Sequence, residues 1–390
     1  MNARSVHAES SVVDRGPCGK SIQPVRFQPA LVAIMASLCA SAGFAQTLPR
    51  DAPRDGRAIY RDACAACHGL DGKGTAPDQV GNRMSVPDFT DCRFTSAERT
   101  KDWSAVIRGG GPARGFSRVM PAFGDALTEG EIHLAIGHIR TFCTVSRWPA
   151  GDLDFPRPLA TEKAFPDNET VFAFSIPLEN TETAELRIIY ERRLGSRGQV
   201  EAAVPFATRQ IGDQWYRGLG DVSAGYKQLL LESNRTGTLV SAAGVLTLPT
   251  GKEQYGLGTR LTVLETSALA GQRIGPAFAH AQAGFEFPLN VASTPNEVFW
   301  RGAVGAVLMP GADGRMWSPM LEVTGRREFE YGDPIRWDLL PQLQISLSRR
   351  RHVTATAGAR VPVGGPTRPA TAMVSLAWDW FEGGLMEGWR

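Results

Sequence analysis

The stretch Cys64-Ala65-Ala66-Cys67-His68-Gly69 constrains the fold of this chain more than any other. Two cysteines stand two residues apart, and a histidine follows the second. A thioredoxin-like redox pair would follow a strand in a βαβ pattern, and none precedes it. A structural zinc site would need a second cysteine pair at similar spacing, which the chain lacks. The remaining reading uses all three side chains. Cys64 and Cys67 form thioether bonds to a haem, and His68 becomes the proximal iron ligand. One helical turn sets both sulfurs along one porphyrin edge. The motif occurs once in 390 residues, so one covalently attached haem c is expected.

A sixth ligand is expected from Met120, which opens Met120-Pro121-Ala122-Phe123. A thioether ligand raises the reduction potential and leaves no open position for substrate. Pro121 stiffens the loop. Met84, His133 and His138 are the rivals. Ile132, Ala135, Ile136 and Ile139 form the buried stripe of a final helix at 3.6-residue periodicity. His133 lies off that stripe and His138 beside it, so both are expected in solvent. Thr128 through Glu131 reads as a capping box that starts this helix. With both axial positions filled, the chain is read as an electron carrier and not an enzyme.

Residues 1–45 read as a signal peptide. Arg4, Arg15, Lys20 and Arg26 precede the apolar run ALVAIMASLCASAGFA, and small residues at 43 and 45 favour cleavage after Ala45. The run is short for a membrane anchor. Cys18 and Cys39 leave with it. Export places the rest in an oxidising compartment, where disulfides persist and haem is attached. The 42 basic and 40 acidic residues nearly cancel, and no basic block marks a nucleic-acid surface.

Residues 46–148 are read as an all-α cytochrome c domain. Gly56, Tyr60, the haem motif, Met120-Pro121-Ala122-Phe123 and Ile139-Arg140-Thr141-Phe142 resemble a class I cytochrome c over about residues 50–145. The resemblance implies that the first and last helices cross at a glycine and aromatic residues, with Gly56, Tyr60 and Phe142 in those parts. Cys92 and Cys143 depart from the simplest family pattern. They are either a disulfide or two reduced buried thiols, and the compartment favours the disulfide.

After Cys143 the pattern changes. Residues 149–168 hold Pro149, Pro156, Pro158 and Pro166 and read as a semi-extended, proline-rich linker. Residues 169–390 are read as the barrel part, with a period of two over about 170–381 and a short tail after Phe381. Val353, Ala355, Ala357, Ala359 and Val361 share one face, and Thr354, Thr356, Gly358 and Arg360 the other. Leu343, Ile345 and Leu347 oppose Gln342, Gln344, Ser346 and Ser348 in the same way. About 10–12 strands are expected. A soluble β-sandwich and an antiparallel outer-membrane barrel both fit. The light apolar face, the run of strands to the chain end and Trp300, Trp317, Trp337, Trp378 and Trp380 as an aromatic girdle favour the barrel. Its lumen set would be Glu185, Arg187, Glu201, Lys227, Glu286, Arg301, Glu322, Arg336, Asp338 and Arg360, filling a narrow bore with ion pairs.

GLGDVSAGYK (218–227) and LPTG (248–251) resemble the outer-membrane barrel family named after phenol meta-pathway operons. The whole chain resembles fused cytochrome–porin proteins. That resemblance implies one-electron transfer at the outer membrane, with a periplasmic redox protein or an extracellular donor or acceptor as partner. The haem domain is expected to cap the periplasmic mouth, being too large for so narrow a bore. A transport barrel with a haem redox or sensor domain, and a soluble periplasmic carrier with a β-sandwich for docking, are the alternatives.

Overall fold

The computed structural model describes residues 54–76, 78, 86–145, 148–179, 182–289, 294–308 and 315–380. The signal segment with Cys18 and Cys39, the rival ligand Met84, and the tail from 381 lie outside the described residues.

The first part is helical: α1 (Gly56–Ala63), α2 (Ala65–His68), α3 (Cys92–Ala97), α4 (Thr100–Gly109) and α5 (Glu129–Arg140). Asp55 caps α1 by accepting the Ala58 N–H at 2.7 Å. Thr128 and Glu131 close the expected capping box on α5. Helices α1 and α5 touch at Gly56, where a Cβ would lie 2.1 Å from the Leu134 carbonyl oxygen. Tyr60 then meets Phe142, ring centroids 5.1 Å apart. Gly56, Tyr60 and Phe142 thus take the parts the resemblance implied. Ile59, Tyr60, Ile132, Ala135, Ile136 and Ile139 make the core between the two helices.

The second part is a closed antiparallel barrel. Its strands are β1 (Glu169–Pro177), β2 (Thr183–Leu194), β3 (Gly198–Ile211), β4 (Gln214–Leu219), β5 (Val222–Ser233), β6 (Thr238–Leu248), β7 (Val263–Ile274), β8 (Ala277–Pro288), β9 (Glu297–Ala306), β10 (Trp317–Glu328), β11 (Arg336–Ser346), β12 (Val353–Gly364) and β13 (Thr371–Asp379). Neighbours in sequence pair except for β4 and β5, and β13 returns to pair with β1 from Asp379↔Glu169 to Thr371↔Pro177. Strand β3 pairs with β5 over Gly198–Ala203 and with β4 over Phe206–Ile211. Strands β4 and β5 are therefore one stave broken at Gly220-Asp221, and 13 strands close a ring of twelve staves. Closure excludes the sandwich. At the break, Asp221 accepts the Gly251 and Thr259 N–H groups at 2.9 and 2.8 Å, and Thr250 donates to the Gly220 carbonyl at 2.8 Å. The GLGD and LPTG segments thus meet in one structural corner.

The barrel is inside-out relative to a soluble protein. Along β10, Ser318, Met320 and Glu322 are buried while Trp317, Pro319 and Leu321 are exposed. Along β11, Gln342, Gln344 and Ser346 are buried and Leu343 is exposed. Phe172, Phe174, Leu246, Val304, Val361 and Val374 extend the exposed apolar surface around the ring. An apolar exterior around a polar bore is the pattern of a barrel whose solvent is lipid. The expected girdle holds in part. Trp300 and Trp337 pack edge-to-face at one end, 5.3 Å between centroids, and Trp317 is exposed at the other. Trp378 and Trp380 are instead buried in a cluster with Val353. Tyr190 stacks on Trp380 and covers it.

The lumen holds Lys227, Glu322 and Asp338, all buried as expected of that set. It also holds the proline-rich segment, which runs through the bore as a plug. Leu153, Phe155, Ala164 and Phe165 pack on the lumen-facing Leu229, Leu239, Leu269, Phe278 and Met320. Wall side chains satisfy the segment's backbone. Gln342, Gln282 and Gln199 accept from the N–H groups of Leu159, Glu162 and Asp167 at 3.0, 3.1 and 2.7 Å. Ser241 and Lys227 donate to the carbonyls of Ala164 and Lys163 at 2.6 and 2.9 Å. Prolines suit such a path because each removes one donor that the bore would have to satisfy. Ion pairs fill the remainder: Arg157 with Glu169 and Glu191, Lys163 with Asp154 and Asp167, Lys227 with Glu162. The expected cross-strand pairs also occur, as between Arg301 and Glu265 and between Arg336 and Glu297, but the plug supplies most of the buried partners.

The helical domain packs on the end of the barrel where β1 begins and β13 ends. Arg99 donates to the Met316 sulfur at 3.5 Å and to Asp154 at 3.4 Å. His352 pairs with Glu98 at 3.6 Å, and Asp152 takes the Thr100 N–H at 2.9 Å and the Arg140 guanidinium at 3.2 Å. The domain caps one mouth, and the plug issues from beneath it.

Candidate haem site

Helix α1 ends at Ala63, and the haem motif occupies the next turn. Cys64 caps this turn, accepting from Cys67 and His68 N–H at 3.2 and 2.9 Å. Gly69 and Gly74 leave it at φ 73° and 87°, a backbone region open to glycine, so the chain turns sharply away from the motif. Tyr60 holds the turn from below. Its hydroxyl donates to the Gly69 carbonyl at 2.7 Å and lies 3.2 Å from that of His68. Burial pushes this phenol above the usual range, so it stays protonated as a donor.

Cys64 is buried and Cys67 half-buried, and both thiols are free of disulfides. Burial raises the Cys64 thiol to about 11 and lowers the His68 imidazole to about 4. A neutral imidazole has the lone pair that an iron ligand needs. His68 stacks on Phe89, ring centroids 4.7 Å apart, and Phe89 meets Trp103 at 5.3 Å. Among the described residues, His68 Nδ1 and Trp103 Nε1 are buried without a hydrogen-bond partner. Two thiols and an imidazole on one turn, with orphaned buried nitrogens beside them, fit a covalently held haem.

Met120 borders the same core. It packs, half-buried, against the cluster that contains Cys64, Phe89, Trp103 and Leu127. Its loop is tied down by backbone. Gly111 N–H donates to the Met120 carbonyl at 3.0 Å, and Phe123 and Gly124 donate to the carbonyls of Ile107 and Arg108 at 2.9 and 3.0 Å. The structure therefore brings His68 and Met120 to one apolar cluster, His68 through Phe89. The two histidine rivals stand elsewhere. His133 is exposed and turns its Nδ1 to its own helix at Glu129. His138 is only partly in solvent, because its ring packs on Tyr60 and Phe142 at 5.3 and 5.2 Å.

Cys92 and Cys143 form a disulfide, Cα atoms 4.9 Å apart, across a sequence separation of 51. It ties the start of α3 to the chain just past α5. Phe89 and Trp103 were not singled out from sequence. Each sits in an unremarkable local pattern, and only the packing brings them beside His68.

A helical domain with this turn, followed by a closed barrel, defines a cytochrome c domain fused to an outer-membrane-type barrel. Residues 51–139 match the family model described as cytochrome C oxidase, cbb3-type, subunit III. No curated protein matches the chain. Among solved structures, the NanC porin is similar at 7% identity, covering 54% of this chain and 98% of that one, with a TM-score of 0.37. The KdgM porin is similar at 8% identity, covering 54% and 98%, with a TM-score of 0.36. An outer membrane channel from Pseudomonas putida F1 is similar at 13% identity, covering 57% and 99%, with a TM-score of 0.40.

Proposed function

We propose that this protein is a monohaem c-type cytochrome that carries single electrons at the outer membrane, its barrel fixing the haem domain at the periplasmic mouth. Cys64 and Cys67 would hold the haem, and His68 and Met120 would supply ligand atoms to its iron. Bound there, the haem supplies reversible one-electron chemistry. The chain's own residues anchor it, exclude water from it with the Phe89–Trp103 wall, and leave no position for substrate.

The observation that carries this reading is the packing of the cytochrome domain on the barrel end that holds both barrel termini. In bacterial barrels that end bears the short turns and faces the periplasm. Here its connections are 195–197, 234–237, 275–276, 307–316 and 347–352, while the opposite end carries 178–182, 212–213, 249–262, 289–296, 329–335 and 365–370, so the ends differ mainly in the long 249–262 segment. A periplasmic redox protein could then reach the haem directly. The plugged lumen speaks against a solute channel as the main role.

The test is fractionation with haem staining and redox titration of the full chain. A haem-positive band of full length in the outer membrane, with heat-dependent migration and one reversible one-electron wave, is expected. A haem-positive chain in the soluble fraction would refute the membrane assignment. Absence of covalent haem would refute the cytochrome assignment.

A further inference from the structure

The barrel turn between β11 and β12 reaches into the loop that carries Met120. Asp102 of α4 is buried and accepts from two arginines at once, Arg114 Nε and Arg351 Nη1, each at 3.0 Å. Arg114 belongs to the haem domain and closes the 3-10 turn Gly111–Arg114. That turn holds Met120, through the Gly111 N–H to the Met120 carbonyl at 3.0 Å and the tight approach of Gly110 to the same oxygen. Arg351 belongs to the barrel. The residue before it, Arg350, lies over the Phe116 ring at 4.1 Å. Phe116 is in the same loop, and its N–H donates to Gly111 at 2.8 Å.

Two consecutive barrel residues thus engage the methionine loop, Arg350 directly as a cation over an aromatic face, and Arg351 through the Asp102 carboxylate of α4 that it shares with Arg114. Arg351 has a φ of 66°, a left-handed conformation that is sterically costly for a residue with a Cβ. Glycine or asparagine is the usual solution at such a position, and neither could reach Asp102.

Resting on the His68/Met120 reading above, we infer that Arg350 and Arg351 are positioning residues for Met120: the barrel clamps the Met120 loop and so would set how firmly its sulfur could hold a haem iron. Arg114 transmits the clamp within the haem domain. The haem site is then complete only in the fused chain.

The experiment uses the full-length, haem-loaded protein in detergent, as Arg351→Ala, Arg351→Lys, Arg350→Ala and Met120→Ala. Three readouts follow the methionine bond: the long-wavelength absorption of thioether-ligated ferric haem, the rate of carbon monoxide binding to ferrous haem, and the midpoint potential. For Arg351→Ala the band should weaken, carbon monoxide binding should rise about tenfold, as a loss of about 1.4 kcal/mol in the bond would give, and the potential should fall. Arg350→Ala should do the same to a smaller extent, and Arg351→Lys should recover part of the effect. Heat-dependent migration should stay unchanged in all four and shows that the barrel is folded. If both arginine-to-alanine variants match wild type in all three readouts while Met120→Ala changes them, the clamp is refuted and the ligand stands. If Met120→Ala also leaves them unchanged, the ligand assignment fails and the clamp falls with it.

Discussion

Arg157 of the lumen segment makes a two-point contact with Glu191 on the barrel wall, Nη2 to Oε1 at 2.6 Å and Nη1 to Oε2 at 2.9 Å. The same guanidinium reaches Glu169, and all three side chains are buried or nearly so. Asp167, Glu169 and Glu191 lie close enough together to suggest a cation site. Arg157 and Lys163 already supply its positive charge. Replacing Arg157 by alanine leaves buried carboxylates without a counter-charge, a loss of about 3–5 kcal/mol. The heat-induced shift in gel migration should begin at a clearly lower temperature in the variant.

The plug predicts a closed bore. Reconstituted in a planar bilayer, the full-length protein should show no stable conductance steps. Replacing residues 155–166 by a glycine-serine chain of equal length removes the apolar and ionic anchors and should produce them. Steady conductance of the unaltered protein would show that the plug leaves the lumen.

Gly56 sets the distance between α1 and α5. Gly56→Ala places a methyl group 2.1 Å from the Leu134 carbonyl oxygen. The helices must separate, with loss of Tyr60–Phe142 packing. Overpacking of this kind costs about 1–3 kcal/mol. Thermal melting followed in the haem absorption should fall accordingly, while the barrel transition stays in place.

The disulfide joins Cys92 to Cys143 across 51 residues of sequence. Cys92→Ser with Cys143→Ser should lower the stability of the haem domain by about 2–5 kcal/mol. Denaturant titration with and without a reductant checks this, and the double variant should be insensitive to the reductant.

The contact between haem domain and barrel should depend on pH through His352. Burial alone would lower its pKa, but the hydrogen bond and charge of Glu98, with Asp379 adding and Arg350 opposing, raise it above the ordinary histidine value. A group whose folded pKa lies above its unfolded value of about 6.5 stabilises fully below that value. The contribution fades as pH rises through the raised pKa. Proteolysis at the domain junction should therefore be slow at pH 6 and faster at pH 9. His352→Gln should flatten this dependence.

Several of these features were legible in the sequence because they are local. The capping box at Thr128–Glu131, the stripe Ile132–Ile139 and the turn around Cys64, Cys67 and His68 are short-range patterns, and each took the expected form. The two-residue period from 169 onward marked strands in the same way, with polar and apolar faces correctly separated at Gln342–Ser346. The burial of Trp378 and Trp380 was not legible, because a tryptophan near a strand end reads alike whether lipid or Tyr190 covers it. The partial cover of His138 was not legible for a similar reason: its place beside the helix stripe says nothing of Phe142 packing against it.

By itself the sequence determined the turn that holds Cys64, Cys67 and His68, the candidate ligand Met120 and the alternation that makes the strands, since residue spacing and backbone periodicity act over a few residues. Only the tertiary structure decided that the proline-rich stretch fills the lumen. A proline-rich chain without regular secondary structure is equally at home in water and in a bore lined by Gln199, Gln282 and Gln342, and its own residues do not distinguish the two. Only the fold, likewise, brought Asp102 within 3.0 Å of Arg351, 249 residues away. Long-range ion pairs have no local signature, because the charge of one partner is satisfied by any opposite charge that closure of the barrel happens to deliver.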